Sequence, residues 1–266
     1  MYYFQATFLM KLLLKLSGSL FLIIPCLFST ASYSQKVKFK EIKLRPDSRI
    51  FNTKDTTIIY PVVVAQNTAI SKKINDEVRD AVIGDYDGKL SLPANLKIQT
   101  KGGLINLSYE VIYNKSDLLS LGIFMEGCGA YCSTYYEYLN FDLKTGRRLN
   151  ISDIILADSL ESFNRLVAMD KTRNLNQYKK SQIEAFKNKE IDSTEYYWII
   201  EQVDSNCINT LDVSKFALTN SYIEIFDDCY FPHVIRALQP TYNLNYPLKN
   251  VEAFLNPRIR KQLLKK

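Results

Sequence analysis

The stretch LINLSYEVIYNKSDLLSLGIFMEGCGAYCSTYYEYLNFDLKTGR, residues 104–147, decides the fold. Ile105, Leu107, Tyr109, Val111 and Tyr113 alternate with Asn106, Ser108 and Glu110, the period of two that turns one strand face toward a core. The segment from Asn114 to Asp117 supplies a turn, after which Leu119, Leu121, Ile123 and Met125 share a face. Beyond a loop of glycines and cysteines, Tyr135, Leu139, Phe141 and Leu143 do the same, and Gly146 stands in the closing turn, where a positive φ is cheap. Neighbouring strands joined by short turns make an antiparallel meander with one apolar face. Its other face carries Thr134, Tyr136, Tyr138 and Asn140.

Working outward, KVKFKEIKL and DTTIIYPVVV read as strands. NTAISKKINDEVRDAVIG reads as a helix, with Ile70, Ile74, Val78 and either Ala81 or Val82 at helical spacing, Asn67 as its cap and Gly84 as its stop. DYDGKLSLPAN reads as a loop, and LKIQTKGG as a short strand before a turn. From Ser159 to about Lys189 the period is helical, with Leu160, Phe163, Leu166 and Val167 on one side, Asp158 as the cap, and later turns polar enough to lie at the surface. Strands return at SKFAL, SYIEIF and TYNLNYPL before a basic helix or tail. Strands grouped around a meander, with helices between the groups, predict an α+β fold of antiparallel meander sheets in which one helix covers a sheet face.

The first thirty-four residues have the pattern of an export signal. Lys11 and Lys15 precede the apolar run LSGSLFLIIPCLF, no acidic residue is present, and Ser32 and Ser34 are the small residues of a cleavage site before Gln35. Within that leader, translation is expected to start at Met10. The apolar run is shorter than the roughly 20 residues of a membrane span, and Pro25 and Ile24 before Cys26 do not fit a lipid-attachment motif. No later segment competes, so no membrane span is expected after cleavage. The net charge of +6 includes the two leader lysines, and the other charges of both signs are interspersed, which argues against a nucleic-acid partner.

Past the leader the cysteines are Cys128, Cys132, Cys207 and Cys229, an even count in a chain bound for an oxidising compartment. Cys128, Cys132, Cys229 and His233 have the spacing of a Cys₃His zinc site, but that reading leaves Cys207 as an odd thiol, and two disulfides are preferred. Four cysteines allow three pairings. A two-residue hairpin at Thr219 and Asn220 would place Cys229 near Cys207, so the expected pairs are Cys207 with Cys229 and Cys128 with Cys132. In the chain-entropy account, the longer closed loop is worth about 3 kcal/mol.

His233 is the only histidine, which counts against the usual mononuclear catalytic zinc and leaves it most simply a loop residue. A Cys229–His233 dyad would need a thiolate that a disulfide removes. Asp227 and Asp228, adjacent in sequence, do not make the separated carboxyl pair of a glycosidase, and a solvated turn is the simpler reading. Tyr136 and Tyr138 are the candidate binding residues, since aromatics with hydroxyls suit protein contact or sugar stacking; the alternative is that the long helix covers them as a second core. No catalytic residue, cofactor or metal is expected.

YPVVVAQNTAISKKIND, the meander with FDLKTGRRLNISDII, and YIEIFDDCYFPHVIRALQPTYNLNYPL together resemble the RsiV-type extracytoplasmic region of lysozyme-sensing anti-sigma factors, a region also found beside peptidoglycan deacetylase domains. The resemblance runs from about Tyr60 to Leu248 and implies a non-catalytic α+β module outside the cytoplasm. The resulting division is a cleaved signal at 1–34, an N-terminal α+β subdomain at 35–100 and an RsiV-like α+β domain at 101–266. A cleavable signal in place of a retained membrane helix implies that the chain does not itself hold a sigma factor. The expected function is a bacterial periplasmic or secreted binding module for an envelope protein, such as a lysozyme-like one, or for peptidoglycan. The alternative is a hydrolase acting on envelope polymers through carboxylates that the sequence does not single out.

Overall fold

The computed structural model describes residues 35–46, 56–84 and 87–264, together with the backbone but not the side chain of His233. The signal sequence, its start and its cleavage site lie outside the described residues, as does the side chain of the lone histidine. The architecture is α+β: a mixed six-stranded sheet, a three-stranded antiparallel sheet, and helices packed on both.

In the larger sheet β1 (Lys38–Leu44), β2 (Ile58–Val64), β3 (Leu104–Lys115), β4 (Leu118–Cys128), β5 (Cys132–Asp142) and β6 (Arg147–Arg148) lie in chain order. The expected meander is present from β3 to β6, all antiparallel. β2 meets β3 in parallel, with Ile58 opposite Leu107. Farther along β2 the backbone of Val63 is taken instead by the Asn75 side chain, which accepts from Val63 N at 2.7 Å and donates to Val63 O at 2.9 Å.

Asn75 belongs to α1 (Thr68–Ile83), capped by Asn67 and ended by Gly84 at φ 64°, as its sequence predicts. Ile70, Ile74, Val78 and Val82 are buried against Leu107, Leu119, Leu121, Ile123, Leu139 and Phe141. This helix covers the meander's first face. Gly146 comes so close to it that a Cβ would lie 3.1 Å from the Ile70 carbonyl oxygen, so close approach and a φ of +72° both select glycine.

The expected strand at LKIQTKGG is instead the helix α2 (Leu92–Lys101). Its alternation is too short to outweigh Pro93 in the first turn and the i, i+4 pair Leu96 and Thr100, both buried, whereas Ile98 is exposed. Asn95 seals the preceding loop, accepting from Asp87 N at 3.2 Å and donating to Asp87 O at 3.1 Å. Tyr113 is also displaced from its expected face. Val111 pairs with Leu121 but Tyr113 with Ser120, so a bulge at Ile112 turns Tyr113 to the second face, where it joins another core.

That second core lies between the meander's second face, the sheet of β7 (Phe216–Leu218), β8 (Tyr222–Ile225) and β9 (Leu244–Pro247), and helices α3 (Ile151–Ile154), α4 (Ala157–Lys187) and α6 (Pro257–Leu263). Two buried polar residues join the sheets. Asn140 donates to Phe216 O at 2.6 Å, and Ser120 Oγ accepts from Leu218 N at 3.2 Å. The long helix starts at Ala157 with Asp158 in its first turn rather than as its cap. Phe163 and Val167 bury as expected.

The polar stretch of α4 is not wholly a solvated surface. Lys171 is 1% exposed, with Nζ 2.6 Å from Asp227 Oδ2, and it also donates to the Thr210 carbonyl. Asp227, read from sequence as part of a solvated turn, is 7% exposed, and its Oδ1 accepts from Asp212 N at 3.1 Å; only Asp228 is exposed. A carboxylate buried in this way requires such partners.

Candidate functional site

Along β5 the second face changes character residue by residue. Asn140 is buried under β7; Tyr138 is half-buried, stacked on Phe226 with ring centroids 3.6 Å apart and planes at 4°; Tyr136 is 53% exposed, its ring 5.2 Å from Phe124. The cover over Tyr138 therefore comes from the segment after β8. The long helix packs on β9 and the turn at Glu252–Phe254. The β7–β9 sheet is too short to reach Tyr136, and this difference separates two tyrosines that alternation alone makes equivalent.

The tyrosine hydroxyls differ as well. Burial pushes the Tyr138 phenol above the ordinary tyrosine range, and the nearby Glu224 carboxylate reinforces the shift. Glu224 is itself raised above the ordinary glutamate range, by burial first and then by Glu110. Tyr138 is thus a protonated packing residue beneath Phe226.

Beyond the stack, β5 faces the 3₁₀ segment His233–Leu238 across a groove of about 470 Å³. Tyr135, Tyr136 and Tyr230 line it, with Lys215 and Arg236 against Glu137 and Asp228. Arg236 reaches Ser133 Oγ at 3.4 Å and bridges the two walls. Lys215 donates to the Tyr230 hydroxyl at 3.4 Å and lies 3.5 Å from Asp228. Burial works against its charge, but Tyr230, Asp228 and Glu137 outweigh it, so the ammonium is held above the ordinary lysine range. Tyr230, Arg236 and Lys215 escape the sequence reading because nothing local shows that their segments return onto β5. The one available signal is Cys229, next to Tyr230, whose pairing with Cys207 ties the segment to the helices rather than to β5.

Cys128 and Cys132 face each other across the β4–β5 hairpin at disulfide distance, Cα atoms 4.0 Å apart, with the loop tip Tyr131 69% exposed. Gly103 packs beneath them and accepts from Cys128 N at 2.8 Å. Cys207 and Cys229 are also at disulfide distance, Cα atoms 5.0 Å apart, buried with Leu175, Ile199, Val203 and Phe231.

The strand register expected to bring Cys207 and Cys229 together is different. Leu218 pairs with Ile223, and the hairpin tip is Asn220 and Ser221. Cys207 instead ends the π-helical turn Val203–Cys207, which follows α5 (Ser193–Gln202), and reaches Cys229 by helix packing. With each sulfur engaged by another, the spacing of a Cys₃His site does not become a ligand set. Among the described residues no three His, Cys, Asp or Glu side chains converge on a metal position, and no helix is long and apolar enough to cross a membrane.

No family model and no curated protein matches the chain. Among solved structures it is similar to a DUF3298-family member from Bacteroides fragilis NCTC 9343, with a TM-score of 0.55 and 15% identity over 87% of this chain and 98% of that one. A DUF3298-family protein from Pseudomonas aeruginosa PAO1 aligns with a TM-score of 0.45 and 11% identity over 85% of this chain and 96% of that one. At 15% identity the first likeness is one of fold.

Proposed function

We propose that the chain is an exported, non-catalytic bacterial module that binds an envelope-associated protein or cell-wall glycan through the groove between β5 and the segment after β8. The observation that carries this reading is Tyr136, an aromatic side chain 53% exposed in a concavity whose opposite wall supplies Tyr230 and Arg236. Exposed aromatics and arginine in a groove are the residue types that anchor binding partners. The sequence resemblance to the RsiV-type region, which implies a non-catalytic module outside the cytoplasm, supports a binding role, and the DUF3298 structure shares the fold alone. Two cysteine pairs at disulfide distance fit the periplasm or the exterior, where both would be oxidised.

The test is capture of envelope components by the chain from Gln35 onward, with lysozyme and purified peptidoglycan as separate baits. Tyr136→Ala should weaken capture by about 2 kcal/mol while leaving thermal unfolding unchanged. Tyr138 is unsuitable for this comparison, because truncating it also strips the Phe226 stack. Equal capture by Tyr136→Ala would refute the assignment of the groove. Turnover of peptidoglycan that disappears on replacing a single Asp or Glu would refute the non-catalytic reading.

A further inference from the structure

The charge of the groove narrows its ligand. Lys215 and Arg236 are balanced by Glu137 and Asp228, and Lys215 is committed to Asp228 at 3.5 Å. A site with no net charge exerts little long-range pull on an ionic partner. What it does present is planar and short-range. Tyr136 and Tyr230, 53% and 59% exposed, offer aromatic surface, while carboxylate, guanidinium and Gln239 amide groups offer hydrogen-bond donors and acceptors beside it.

That combination matches a pyranose. Its axial C–H groups carry slight positive charge and lie against the negative face of an aromatic ring. Its neighbouring hydroxyls meet planar groups that can accept or donate two hydrogen bonds at once. The volume of about 470 Å³ lies within the roughly 300–1,000 Å³ of small-ligand sites. We infer that the groove takes a short, uncharged oligosaccharide, stacked on Tyr136 and Tyr230 and hydrogen-bonded by Asp228, Glu137 and Arg236. This inference rests on the binding-module reading and selects glycan over protein as its ligand.

Chitotetraose, an uncharged probe, is titrated into the chain from Gln35 onward and followed by calorimetry and by amide NMR. The expected result is saturable binding, with shifts confined to β5, the neighbourhood of Lys215 and residues 228–241, and an affinity unchanged between about 0.01 M and about 1 M salt, since screening acts only on charged partners. Tyr136→Ala should weaken it about tenfold or more and Tyr136→Phe by less than about threefold. If Tyr136→Ala weakens capture of an envelope protein but chitotetraose does not bind, the glycan inference falls and the binding-module reading stands. Salt-sensitive binding, or sugar binding indifferent to Tyr136→Ala, also overturns the inference. Neither sugar binding nor envelope capture would overturn both.

Discussion

Replacing Lys171 by Met should be among the most damaging single substitutions outside the apolar cores. The Lys171 side chain is 2% exposed and that of Asp227 2%, with 2.6 Å between Nζ and Oδ2. Methionine keeps most of the volume but removes the cation and the donor to the Thr210 carbonyl. The Asp227 carboxylate would keep the Asp212 N–H at 3.1 Å on Oδ1 and lose its counter-charge. Breaking one side of a buried pair costs about 3–5 kcal/mol, a large fraction of the roughly 5–15 kcal/mol that holds a domain together. With a urea slope of about 2 kcal/mol/M, a loss of about 4 kcal/mol moves the unfolding midpoint by about 2 M. Urea titration by circular dichroism measures this directly. The double variant Lys171→Met with Asp227→Leu should recover much of the loss, because no uncompensated charge then remains in the interior. A loss under about 1 kcal/mol for Lys171→Met, the size of a surface pair, would refute the claim that this pair is desolvated.

Gly103→Ala should destabilise by about 1–3 kcal/mol, since its φ is +115° and a Cβ there would lie 2.2 Å from the Cys128 carbonyl oxygen. Gly88→Ala, where a Cβ meets nothing within 4 Å, is the control; equal thermal midpoints for the two would refute the packing argument. Asp153 gives a pH dependence. The Arg147 hydrogen bond, aided by Asn150 N–H, holds its carboxyl below the 3.8 of an ordinary aspartate, so its contribution is present above that value and is lost as the pH falls through the lower folded-state value. The stability gap between wild type and Asp153→Asn should therefore be constant near neutrality and close in acid, and a gap that widens as pH falls would contradict the sign.

The parts of the fold legible in the sequence are those where local geometry and the core agree. In β4, Leu119, Leu121, Ile123 and Met125 keep one face because no bulge interrupts the strand opposite β5. In α1, the cap, the stop and the apolar spacing describe the same sixteen-residue helix. Errors arise where a single inserted residue or a distant partner decides. The bulge at Ile112 reverses Tyr113, and no composition signal marks it. Lys171 reads as a surface residue because its counter-charge, Asp227, lies in a remote loop. The candidate site divides the same way: the shared face of Tyr136 and Tyr138 follows from alternation, whereas their different exposure depends on how far the β7–β9 sheet and Phe226 extend over them.

The segment from Asp227 to Tyr242, which forms the second wall of the groove, contains no strand to fix its path. Its position comes from side chains. Asp227 pairs with Lys171, Cys229 with Cys207, the Tyr242 hydroxyl donates to Asp227 O at 3.0 Å, and Tyr178 of α4 donates to Leu238 O. Each anchor is directional, whereas an apolar contact alone would tolerate sliding. In the proposed binding role the segment needs such a frame, because Tyr230 and Arg236 would act only while they stand opposite Tyr136. In that role the buried Lys171–Asp227 pair and the Cys207–Cys229 pair, which tie the segment to α4 and to the π-helical turn after α5, would hold Tyr230 in place as well as stabilise the fold.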